Sequence, residues 1–157
     1  MNPTRFIHFT QMVDTTQKCI KRLELTFAPQ FGVKGVHIFW LYELQQHPEG
    51  LTATELAHRR MVDRSLISRE MDDLKRKGLV EAKTEGGKNY NARLVLTTKG
   101  RAIARKIENA ALSIQNQASA DVTEDELMTF YATFEKIRGR LIGLAQNAND
   151  GKDNDDE

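Results

Sequence analysis

Arginines and short hydroxyls recur between residues 59 and 76, as Arg59, Arg60, Arg64, Ser65, Ser68, Arg69 and Arg76, with Asp72 among them. Such a set suits hydrogen bonding better than bond making. A guanidinium can bind guanine O6 and N7 bidentately, a hydroxyl can meet any base edge, and either can hold a phosphate. Covalent chemistry finds no purchase. There is no Gly-x-Ser-x-Gly, no phosphate-cradling Gly-x-x-x-x-Gly-Lys and no paired Cys and His. His8, His37, His47 and His58 fall on different segments and form no His-x-x-x-His pair, so no metal is expected, nor any other cofactor. The chain reads as a binding protein and not as an enzyme.

The elements that must position these residues follow from periodicity. Ile67, Met71 and Leu74 recur at the spacing of one buried helix face, with Asp63 as the N-cap and Gly78 just past the end. At ~100° per residue Ser65, Ser68, Arg69, Asp72 and Arg76 then face away from that side. A shorter helix precedes it, begun by the capping box of Thr52 and Glu55, with Leu56 and Ala57 inward and His58, Arg59 and Arg60 at its close. Two short strands follow Gly78, Leu79 to Lys83 and Ala92 to Thr97. Leu94 and Leu96 alternate with Val95 as in a half-buried strand, and Gly50-Leu51 is expected to add a third strand. Between them Glu85-Gly86-Gly87-Lys88-Asn89 has turn chemistry. The pattern is a winged helix-turn-helix in a mainly α fold with a small antiparallel sheet. Its second helix would enter a major groove, where Arg64, Ser65, Ser68 and Arg69 read or flank bases. Arg59, Arg60, Arg76, Lys88 and Arg93 would neutralise phosphates, and Asn89 belongs to the same basic hairpin.

The order Leu-Thr-x-x-Glu-Leu-Ala, Asp-x-Ser-x-Ile-Ser-Arg, Leu-x-x-x-Gly-Leu-Val and Leu-Thr-x-x-Gly, ending at Gly100, resembles the multiple antibiotic resistance regulator (MarR) family. The resemblance implies a homodimeric transcription regulator, in many cases a repressor, on a pseudo-palindromic operator, released by a small ligand or by oxidation. At the wing the sequence departs. Counting back from Leu96-Thr97, Lys88 and Tyr90 stand where many members have an Asp-Arg pair, so either Lys88 or Arg93 makes that contact or the wing binds less specifically.

Size and charge agree. The 157 residues are enough for one domain with a core, and hydrophobic content of 39% with charged content of 29% fits a soluble protein. The net charge of +1 conceals a split. Residues 52 to 101 carry 12 Lys and Arg against 7 Asp and Glu, whereas 121 to 157 carry 4 against 10. The basic part is the part assigned to DNA. The start of the chain lacks the apolar core of a signal peptide and no apolar run could span a bilayer, so a cytoplasmic location is expected. With one cysteine, no internal disulfide is possible.

The flanks carry seams. In 5 to 28, Phe6, Phe9, Val13, Thr16, Ile20, Leu23 and Phe27 alternate in steps of three and four. The stretch from about 124 repeats the pattern in Leu127, Phe130, Phe134, Ile137, Leu141 and Leu144, behind a capping box of Thr123 and Glu126. Between lie a helix from Gly35 to Gln46 with Val36, Phe39, Trp40 and Leu44 inward, and one from about 98 to 119 carrying Ile103, Ile107, Ala110, Ala111 and Ile114. The terminal helices could pair with each other in one chain. The preferred expectation is that they interlock with a second copy and hold two reading helices about one DNA turn apart, ~34 Å. The organisation is then one domain over 1–147, with a winged lobe at 34–100, dimerisation helices at 5–30 and 101–147, and a disordered acidic tail at 148–157.

Phe27, Phe39 and Trp40, with Phe31 and Tyr42, cluster where relatives of this resemblance keep a ligand pocket. A planar aromatic or phenolic effector is the expected ligand, with Arg22 as its anionic group's partner. Cys19 reads as a packing cysteine. The alternative to DNA binding is a winged-helix protein–protein module.

Overall fold

The computed structural model describes residues 3–83 and 92–150. The described residues form α1 (Pro3–Phe27), α2 (Gly35–Gln46), α3 (Ala53–Arg60), α4 (Arg64–Arg76), β1 (Val80–Lys83), β2 (Arg93–Leu96), α5 (Thr98–Ala118) and α6 (Glu124–Asp150). This is the expected class, mainly α with a two-stranded antiparallel sheet. Residues 84–91, where the turn is expected, lie outside the described residues, and with them the expected roles of Lys88 and Asn89. Among the described residues no helix is long and apolar enough to cross a membrane. The chain divides into two compact units, Met1–Leu112 and Ser113–Glu157.

In the first unit α2 is the central post. Val36, Ile38, Phe39, Trp40, Leu41 and Leu44 leave it almost no polar side, and a helix apolar all round must be enclosed. Helices α3 and α4 pack Leu56, Ile67, Met71 and Leu74 into the same core, Leu79 before β1 and the sheet's Val80, Leu94 and Leu96 join them, and α5 adds Ala104 and Ile107. Full burial of one such leucine stabilises by roughly 1.5–3 kcal/mol. Strand register runs from Val80 opposite Leu96 to Lys83 opposite Arg93. The expected third strand reduces to one bridge, where Leu51 and Leu94 exchange hydrogen bonds of 3.1 and 2.8 Å.

Four local expectations change. Val95 is buried, not outward, because the α2–α3 turn lies on it. Gly50 there has φ +88°, and a Cβ on it would stand 2.7 Å from Val95 Cγ1. Asp63 holds the N-cap position of α4, yet its carboxylate makes no capping bond. On α5 Ile107 is buried as expected, but its other buried residues are Gly100 and Ala104, since the helix meets Leu79 at its first turn. Cys19 is exposed instead of packed, because it lies on a face of α1 that this chain leaves uncovered. That helix stops at Phe27, where a 3-10 turn, Ala28–Phe31, leads to Gly32 with φ 70°.

In the second unit the Thr123–Glu126 box forms, with Glu126 accepting the Thr123 N–H at 2.9 Å. Three acidic residues in the first turn suit the positive end of the dipole. Helix α6 continues to Asp150, three residues into the segment expected to lack structure.

Candidate nucleic-acid interface

Thr52 and Glu55 begin the motif. The Thr52 N–H donates to Glu55 Oε2 at 2.7 Å, and the Glu55 N–H donates to Thr52 Oγ1 at 3.1 Å. These bonds, from the Thr52 backbone first, hold the Glu55 carboxyl below its usual pKa. Helix α3 ends at Met61 with φ 52°, a left-handed turn without glycine. The Met61 and Val62 N–H groups close that end onto His58 O and Ala57 O. Helix α4 then starts at a set angle, with Ile67, Met71 and Leu74 at 0–1% exposure.

Every sequence-assigned residue of α4 is exposed: Arg64, Ser65, Ser68, Arg69, Asp72 and Arg76. Arg64 and Arg69 make no ion pair among the described residues, so both guanidinium groups can take a ligand. Ser68 Oγ donates back to Arg64 O at 3.2 Å and keeps its lone pairs outward. Arg76 pairs with Asp73 at 3.1 Å, and Asp72 lies 3.5 Å from Lys75.

One edge of α4 borders a groove of about 280 Å³, closed by the start of α3 and by the sheet. Thr54, Arg64, Ser68 and Lys75 place donors along it, opposed by Asp72. Sequence reasoning missed Thr54 and Lys75. The available signal for Lys75 was its spacing, since 64, 68 and 75 step by four and seven along one helix edge.

The other predicted cations are partly engaged within the fold. Arg59 Nη1 lies 3.3 Å from Glu43 Oε2. The Arg60 guanidinium stacks on Phe39 at 4.1 Å from the ring centroid. Arg93 Nη1 donates to Gly50 O at 2.6 Å and lies 3.8 Å from Glu55 Oε2, tying the wing's base to the α2–α3 turn. Their charge still adds to the local field, but each would have to trade a partner to grip a phosphate.

For the expected ligand site, the structure brings Phe39, Trp40 and Arg60 together. Phe39 meets Trp40 edge to face at 5.0 Å. Trp40 is wholly enclosed, and its indole N–H has no hydrogen-bond partner among the described residues. Phe27 is half-buried at the end of α1, and Arg22 is exposed on that helix. A ligand taking the Phe39 ring face that Arg60 covers would have to displace Arg60.

One polar cluster was not foreseen. His37 on α2 is completely buried and lies 2.9 Å from Glu70 of α4.

The MarR family model matches residues 31–88, a segment that contains α2, α3, α4 and β1. Over that segment the chain is similar to the MarR family. Its fold is that of solved members along almost the whole length. A putative MarR family transcriptional regulator from Listeria monocytogenes, complexed with 26mer DNA, superposes with a TM-score of 0.82 at 16% identity, covering 90% of this chain and 94% of that one. The S. aureus MepR–DNA complex gives 0.75 at 18% identity, with 85% and 97% covered. Staphylococcus aureus MarR in complex with salicylate and kanamycin gives 0.79 at 15% identity, with 90% and 95% covered. At these identities the likeness is one of fold. No curated protein matches the sequence.

Proposed function

We propose that this chain is a homodimeric, sequence-specific DNA-binding regulator of transcription of the MarR family, acting as a repressor in the cytoplasm. The observation that carries it is the outer face of α4. Six polar residues stand exposed around a core face of Ile67, Met71 and Leu74, and two of them are arginines without an ion pair among the described residues. Structural relatives solved with DNA add support. Arg64, Ser65, Ser68 and Arg69 contact bases, while Lys75, Arg76 and the wing cations Lys88 and Arg93, with Asn89, meet the backbone.

The second copy is supported by apolar surface that one chain leaves open. On α1, Phe6 and Ile20 are 58% and 53% exposed, and on α6, Phe130 and Leu144 are 55% and 65% exposed. Surface of that extent along two helices marks an interface. A planar aromatic effector, entering by displacement of Arg60 from Phe39 with Arg22 and Phe27 at hand, is the proposed release signal.

The deciding experiment is a gel shift of the DNA upstream of its own gene across a salt series, alongside light scattering. A dimer whose affinity falls steeply with salt is expected. Binding that ignores salt would favour the protein–protein module instead, a reading to which the internal partners of Arg59, Arg60 and Arg93 lend weight.

A further inference from the structure

The two nitrogens of His37 serve two different helices. Nδ1 accepts the Lys34 N–H at 3.3 Å, at the start of α2. Because Nδ1 is an acceptor, the neutral ring carries its proton on Nε2. Nε2 therefore donates to Glu70 Oε2 at 2.9 Å, with Asp73 Oδ2 3.5 Å away, both in the body of α4. Lys34 Nζ stands 3.0 Å from the same Asp73 oxygen, and Lys77 Nζ donates to Gly32 O at 3.2 Å. Glu70 and Asp73 on α4 and Lys77 at its C-cap step by three and four along the edge opposite to Arg64, Ser68 and Lys75. One edge of this helix borders the groove; the other is latched to the entry of α2.

We propose that His37 is a positioning residue for α4, and that its protonation releases the latch, so that DNA affinity falls on mild acidification. This rests on the DNA-binding reading above. The second proton must go to Nδ1, which then points an N–H at the Lys34 N–H it formerly accepted. Two donors face each other, and a new positive charge sits beside Lys34 at Asp73. The first turn of α2 has to open, and the bonds that fix Glu70 and Asp73 change with it. The charges acting on the ring are Glu70 and Asp73 from α4 and Lys34 from its own helix start; Arg76 bears on Asp73.

The sign follows from burial. Desolvation holds the His37 pKa below its ordinary 6.5, against the pull of the Glu70 hydrogen bond and charge and of Asp73. The neutral ring thus contributes stability that is present above about pH 6.5 and lost as pH falls from there through the folded-state pKa.

The test compares wild type with His37→Gln, which keeps a donor at the reach of Nε2 but cannot take the proton. Affinity for a fluorescein-labelled duplex from upstream of its own gene is read by anisotropy from about pH 8 to 5, with melting of the free proteins over the same range. Wild-type affinity and melting temperature should both drop in acid, the affinity by about tenfold per pH unit per protomer below the midpoint. His37→Gln should remove both losses. If it fails to fold, Glu70→Gln serves: without the carboxylate the ring binds its proton less readily, and the midpoint moves to lower pH. Equal acid losses in wild type and His37→Gln, or an unmoved midpoint in Glu70→Gln, would overturn the role of His37 while leaving DNA binding intact. A normal melting response with no change in affinity would overturn the coupling. Absence of binding to any duplex at any pH would remove the DNA reading and this proposal together.

Discussion

Replacing Gly100 by Ala should be costly, for a reason that can be worked through atom by atom. Gly100 sits in the first turn of α5, its N–H donating to Thr97 Oγ1 at 3.0 Å. An added Cβ would lie 1.9 Å from Leu79 O, 2.9 Å from Leu79 C and 3.3 Å from Leu79 Cα. All three are backbone atoms, so no side chain can swing aside. Either α5 or the chain leaving α4 must retreat by more than ~1 Å to reach ordinary contact distance. Leu79 O also accepts the Thr97 N–H at 3.0 Å, and that bond is strained or lost. Overpacking costs ~1–3 kcal/mol and the hydrogen bond about 1 kcal/mol, offset by about 1 kcal/mol of improved helix propensity. These contributions sum to a net loss of about 1–3 kcal/mol. For a chain of this size that lowers Tm by ~2–12 °C. Urea denaturation at fixed protein concentration, followed by the single tryptophan, Trp40, measures it. Gly139→Ala is the control: it lies exposed on α6, away from the Phe130–Phe134 seam, and an added Cβ meets nothing within 4 Å. It should gain up to about 1 kcal/mol. A Gly100→Ala loss under about 1 kcal/mol would mean that α5 does not approach Leu79 in this way.

The other predictions concern the interface and its frame. Arg69→Ala should lose ~1–3 kcal/mol on the operator and relax specificity, whereas an equal loss on random DNA would contradict a reading role. Lys88→Ala should weaken binding to all sequences and reduce the salt slope by about 1, as fitted from a titration in salt. Met61→Gly should stabilise by roughly 0.5–1 kcal/mol, since glycine adopts φ 52° without the side-chain penalty; thermal melting reads the gain. Ile20→Asp, on the exposed seam of α1, should shift the mass in light scattering from dimer to monomer.

The winged core was legible in the chain because its signals are local. Thr52 and Glu55 sit three residues apart and cap α3 wherever that helix is placed. Ile67, Met71 and Leu74 define a buried face by spacing alone, and Gly78 with φ 68° stops α4 in the left-handed turn its position announces. The exposure of Arg64, Ser65, Ser68 and Arg69 follows from the same arithmetic. Tertiary structure decided what spacing cannot carry. Val95 turned out to be buried because a distant turn at Gly50 covers it. Arg59, Arg60 and Arg93 drew partners from α2 and the α2–α3 turn. His37 found Glu70 thirty-three residues on. Period and capping depend on neighbours within about one helical turn, so they are written in sequence order. Which cation is left without an internal partner, and which imidazole is taken out of water, depend on long-range packing between segments, and only the folded chain determines that.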